Sequence, residues 1–210
     1  MPSPSHLLQH NACRRGFTLA ELLAVIIIMS LLMVAVVPSI TGMTRGASLR
    51  GATMQVQTTL VAARQNAISR RANVSVLFPS PGMGSSPLSK TDPKNFRAIA
   101  AYATSSTGNW YCIGWEFLPP GIVFRPNNFA ATDLVTAPTD GANVASMYAL
   151  MFNRLGERTG LSTGNSAATV QLMEGFVDTS VGAIVPKGKA GGTNQISVLY
   201  PAGIIQVKRL

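Results

Sequence analysis

From Phe17 to Val37 the chain runs 21 residues with a single charged side chain, Glu21. As an α-helix that run measures about 31 Å at ~1.5 Å per residue, which matches the ~30 Å hydrocarbon core of a bilayer. Val25–Ile28 and Leu31–Val37 offer no polar face, so the run predicts a membrane span. Arg14 and Arg15 stand just before it and place the N-terminus on the cytoplasmic side. Arg45 and Arg50 follow it, but a long downstream domain translocates largely regardless of such charges. A cleaved secretory signal would have a shorter apolar core and a small-x-small site, and Val36-Val37-Pro38-Ser39-Ile40 offers none. A plain anchor explains everything except Glu21 and the Gly16-Phe17 junction. A carboxylate well inside a span costs about 2.5–3.5 kcal/mol on insertion scales.

The remainder of the chain narrows the function classes. Its 210 residues allow one ordinary domain beside the anchor. Charged residues make up only 12%, about half the usual ~25%, a Ser/Thr/Asn/Gly-rich balance typical of exported proteins. The net charge of +9 admits anionic partners, although the positives are scattered. Cys13 and Cys112 fall on opposite sides of the apolar run, which argues against a disulfide framework. His6 and His10 both precede the run; a protein trimmed there has no histidine for a Ser-His-Asp triad or a zinc site. No acid pair has a revealing spacing, so an enzyme is not expected, and neither a cofactor nor a metal is called for.

Beyond Pro38 the periodicity predicts that the helix continues to about Ala72. Leu49, Thr53, Val56, Leu60, Ala63 and Ala67 recur at three- and four-residue steps, with Met54, Val61 and Ile68 widening the stripe. Pro38, Gly42, Gly46 and Gly51 lie between the apolar and amphipathic halves. Glycine costs about 1 kcal/mol within a helix and proline about 3, so a bend or break is expected there. Strands follow: Val74–Pro79, Phe96–Ala103, Asn109–Phe117, Gly121–Phe124, Met147–Asn153 and Ala168–Met173. Gln195–Tyr200 and Gly203–Arg209 read as a closing hairpin turned at Pro201-Ala202-Gly203. A helix followed by strands makes the fold α+β, with residues 17–37 the transmembrane half of the helix, 38–72 its amphipathic half and 73–210 a β-rich head carrying an antiparallel sheet.

The string Arg14-Arg15-Gly16-Phe17-Thr18-Leu19-Ala20-Glu21-Leu22-Leu23 resembles the signal that opens type IV pilins and type II secretion pseudopilins. The likeness runs from Arg14 to about Ala72. More loosely, the passage from Leu60 to Phe78 and the later strands resemble the GspH/FimT-type minor pseudopilins. The resemblance implies a leader, residues 1–16, cut by a prepilin peptidase between Gly16 and Phe17, with Phe17 then N-methylated. It implies a single-pass inner-membrane protein of bacteria, its head periplasmic, that assembles with other pilin or pseudopilin subunits into an extracytoplasmic filament. Pro38 and Gly42 would loosen the helix for packing. The cut would free an α-amino group that is largely cationic near neutral pH. Glu21 would neutralise a terminal amine, its own or a neighbour's, for about 4 kcal/mol at ~4 Å and an effective dielectric of ~20. The carboxylate is then tolerable when paired and unfavourable alone, and it sets the register of assembly. Apart from that filament, inner-membrane lipid is the expected partner.

Other candidate chemistry is thinner. Lys187–Thr193 lacks phosphate-loop spacing and reads as an exposed turn. Asp133, Asp140, Glu174 and Asp178 lack the clustering of a calcium loop. Alternation puts Tyr111 and Trp115 on one strand face and Trp110 on the other with Cys112, all read as packing residues. The alternative function is a minor pilin that binds DNA during natural transformation. Arg64, Arg70, Arg71, Lys208 and Arg209 would serve it only if the fold brings them together.

Overall fold

The computed structural model describes residues 17–106, 108–127, 133–140, 143–159, 169–187, 193–199 and 202–210; side chains are described outside 34–46 and 140. The chain divides into two compact units, residues 1–43 and 44–210. A single helix, α1 (Leu19–Arg70), runs through that boundary. Helical backbone continues across Pro38, Gly42, Gly46 and Gly51, so the break expected at Pro38 and Gly42 is not an interruption of the helix. Long apolar flanks propagate helix through a proline because each further residue adds a hydrogen bond, whereas nucleating a second helix is costly.

Within the second unit the expected stripe is buried from Leu49 to Ala67, joined by Ala52. Met54, Val61 and Ile68 do not widen it; all three are exposed. Small side chains at Ala52, Ala63 and Ala67 explain the narrow contact, since they let the sheets approach the helix axis closely. The helix stops at a Schellman motif: the Ala72 N–H donates to the Ala67 carbonyl at 3.2 Å and the Arg71 N–H to the Ile68 carbonyl at 3.4 Å. Arg71 occupies the left-handed position with φ of 49°, a place where glycine is the usual residue.

The strands are β1 (Asn73–Phe78), β2 (Ala98–Ser105), β3 (Gly108–Phe117), β4 (Ile122–Asn127), β5 (Leu134–Asp140), β6 (Asn143–Phe152), β7 (Arg158–Thr159), β8 (Thr169–Asp178), β9 (Ala183–Pro186), β10 (Thr193–Leu199) and β11 (Ile204–Arg209). Among the described residues they form two antiparallel sheets. The first has the order β3-β2-β1-β6-β5, with β7 on β6; the second has the order β11-β10-β8-β4, with β9 on β8. The expected α+β class therefore holds, and β10 and β11 close as the predicted hairpin, Leu199 opposite Ile204. One core joins the helix stripe to the inner faces of both sheets: Val74, Val76 and Phe78, then Ile99, Ala101, Leu150 and Phe152, then Phe124, Leu172, Ile196 and Val198. Phe78 and Phe124 meet edge to face at 5.3 Å, linking β1 to β4.

Sequence reading missed β5, β7 and β9. β5 is an edge strand that contains Pro138, and its pairing with β6 shifts register between Pro138 and Asp140, as a proline in a strand requires. It also explains why β1 is buried on both faces. β6 pairs with β1 only over Tyr148–Phe152, while its earlier half pairs with β5. That half of the hairpin is bonded on its other side to the loop at Ser86 and Pro87, and Ala137 and Met147 pack against Leu77, Ala100 and Tyr102 in a second cluster. The Tyr111 hydroxyl of β3 donates to the Pro138 carbonyl of β5, although those strands stand at opposite ends of the sheet order. Gly84 (φ +67°) permits the preceding loop to press on β6, because a Cβ there would lie 2.4 Å from that of Ser146.

Candidate functional site

Gly16, and with it the cleavage junction's first half, lies outside the described residues. Phe17 begins the described chain and is exposed. The next residues make a capping box. The Glu21 carboxylate accepts from the Thr18 backbone N–H at 3.0 Å and from the Thr18 hydroxyl at 3.1 Å; the Glu21 N–H donates back to the Thr18 Oγ1 at 3.3 Å. This reciprocal arrangement satisfies donors that every helix start leaves open, and a carboxylate there also meets the positive end of the helix dipole. Thr-x-x-Glu was legible in Thr18-Leu19-Ala20-Glu21 and is the signal that sequence reading overlooked. Glu21 thus has a partner within its own chain besides any terminal amine.

Every described side chain from Phe17 to Met33 is exposed, so a ring of Leu, Ile, Val and Met surrounds this helical turn after turn. Among the described residues, no helix is long and apolar enough to cross a membrane. The described side chains of the expected span end at Met33, short of Val37.

The basic residues do not converge. Arg64 is committed to the fold: Nε donates to the Gly156 carbonyl at 2.9 Å and an Nη to the Ala202 carbonyl at 2.9 Å. The guanidinium therefore clamps the helix to two turns. Gly203 (φ +63°) leaves room for that approach, since a Cβ there would meet the Gly156 oxygen at 2.5 Å. Arg70 lies over the Trp110 ring at 5.9 Å, on an edge strand of the first sheet. Arg71 sits in the helix cap. Lys208 and Arg209 end β11 in the second sheet, and their register puts them on opposite faces of it. The structure gives the DNA reading no assembled patch.

The strand aromatics fall as alternation predicts, although β3 slips register twice against β2. Tyr111 and Trp115 join the outer cluster with Tyr102, while Trp110 and Cys112 pack toward the helix. Burial pushes the Cys112 thiol up, with the Arg70 charge and Trp110 opposing. Arg158 is buried; burial lowers its pKa, Asp133 opposes, and its Nη1 donates to the Val198 carbonyl at 3.3 Å, tying the two sheets together. Asp178 accepts from the hydroxyl and N–H of Ser180, which hold its carboxyl below the ordinary range. Among the described residues no three His, Cys, Asp or Glu side chains gather to hold a metal.

The element with a recognisable signature is thus the helix start. Residues 11–37 match the prokaryotic N-terminal methylation motif, and the chain carries that motif. No curated protein matches the sequence. Among solved structures, the chain is similar to the type IV minor pilin FimU of Pseudomonas aeruginosa, with 16% identity over 79% of this chain and 92% of that one, at a TM-score of 0.45. It is also similar to the minor pseudopilin EpsH from the type 2 secretion system of Vibrio cholerae, with 12% identity over 76% of this chain and 97% of that one, at a TM-score of 0.43.

Proposed function

We propose that this chain is a structural minor pilin or pseudopilin subunit rather than an enzyme. A prepilin peptidase cuts it between Gly16 and Phe17, and Phe17 is N-methylated. The apolar half of the helix, residues 17–37, anchors it in the bacterial inner membrane, N-terminus cytoplasmic and head periplasmic, until it enters a type IV pilus-like or type II secretion pseudopilus filament. The observation that carries this reading is the methylation motif over residues 11–37, which contains Gly16, Phe17 and Glu21. Two features support it. The exposed apolar ring from Phe17 to Met33 needs lipid or other helices around it, and the head shares its core with the second half of the helix, Leu49 to Ala67, not with that ring. Released from the leader, the Phe17 amine sits four residues ahead of a carboxylate that Thr18 holds at the helix start. Glu21 then has two calls on it, its own cap and an amine, and Pro38 and Gly42 supply weak points at which the helix loosens on packing.

The test is the N-terminus of the native protein, read by intact mass and Edman degradation from cells with and without the peptidase. A methylated Phe17 terminus that depends on the peptidase is expected. Retention of Met1 beside an active peptidase, or trimming past Val37, overturns the reading.

A further inference from the structure

Pairing in the second sheet lines up four side chains on its outer face. Arg125 of β4 lies opposite Gln171 of β8, Gln171 opposite Gln195 of β10, and Gln195 opposite Lys208 of β11. Directly opposed residues share a face. The inner face is fixed by Phe124, Leu172 and Ile196, which belong to the core, so this row points away from the helix. Arg125 and Lys208 are exposed, and Gln171 and Gln195 are half-exposed. Among the described residues none of the four side chains makes a hydrogen bond, ion pair or ring contact, in contrast to those of Arg64, Arg70, Lys94 and Arg158. The same face carries no carboxylate along these strands, because Glu174 and Asp178 occupy the alternate positions of β8.

We propose that this row is a docking surface for an extended acidic segment of a partner protein lying across the strands. Three inter-strand steps of ~4.8 Å set the two cations about 14 Å apart. An extended peptide advances ~3.3–3.4 Å per residue, so carboxylates four residues apart on one of its faces span about 13 Å. Between them, each glutamine amide offers both donors and an acceptor, which suits the alternating N–H and C=O groups of a peptide backbone. Duplex DNA, with a charge every ~1.7 Å, would leave most of its phosphates unmatched by two separated cations. The surface lies wholly on the head and requires no cut at Gly16, so its failure and that of the filament reading are separable.

The test uses the full chain in detergent micelles and the fluorescence anisotropy of labelled nine-residue Ser/Thr peptides. One peptide carries Glu at positions 3 and 7, a second at positions 3 and 6. The first is expected to bind about tenfold more tightly than the second, and about tenfold more tightly than it binds the Arg125→Gln/Lys208→Gln double variant. Arg50→Gln, an exposed change on α1, which packs on the opposite face of this sheet, is expected to leave binding unchanged. Equal binding of both peptides, or full binding by a double variant whose circular dichroism is unaltered, overturns the proposal. So does binding of duplex DNA or of phosphatidylserine vesicles in place of the first peptide.

Discussion

Along the first part of α1, every described side chain from Phe17 to Met33 is exposed; from Leu49 to Ala67 a stripe of the same helix is buried under two sheets. The second part is an ordinary amphipathic helix whose burial its own chain provides. The first has no polar face, and among the described residues no element covers its apolar surface. Helical propensity is similar in both parts. What differs is where the hydrophobic stabilisation comes from, at about 25 cal/mol per Å² removed from water.

That contrast can be broken by substitution. The largest effect is expected from Glu21→Ala: filaments sheared from cells and pelleted should lack the variant, while the melting temperature of the purified protein's head transition stays unchanged. A head transition that falls with Glu21→Ala would erase the distinction between the two parts. Leu60→Ala should do the reverse, destabilising the head by about 2–5 kcal/mol in urea titration through an unfilled cavity beneath a fully buried side chain. Arg64→Ala should cost about 2 kcal/mol, because two carbonyls lose a charged donor. Arg71→Gly should raise head stability by about 1 kcal/mol, since glycine accepts the left-handed cap without strain. The smallest effect concerns pH. Asp178 titrates below its ordinary value of 3.8, so its bonds to Ser180 are fully kept above the unfolded pKa and are lost only as pH falls through the folded one. A carboxyl resonance with a midpoint above 3.8 would contradict this.

How much was legible follows the same division. The helix start was readable because Gly16-Phe17-Thr18-Leu19-Ala20-Glu21 is a contiguous string. The stripe and most strands were readable because period 3.6 and alternation are local signals. Arg64 was not, because its acceptors lie 92 and 138 residues away and both are backbone carbonyls in turns. β5 was obscured by Pro138 and by threonine and alanine in place of strong strand formers. α1 stays helical through Pro38, where propensity alone leads one to expect a bend or break, because long helical flanks on either side offset the local penalty. The Thr18–Glu21 box was within reach of the sequence, because Thr-x-x-Glu is a local pattern.

The β5–β6 hairpin has a consequence for the order of events in folding. Tyr111 and Pro138 stand on strands separated in the sheet by β2, β1 and β6, so their bond closes contacts of long sequence separation and is expected to be a lock that turns late. The fluorescence of the neighbouring Trp115 should therefore report completion of the head rather than its collapse.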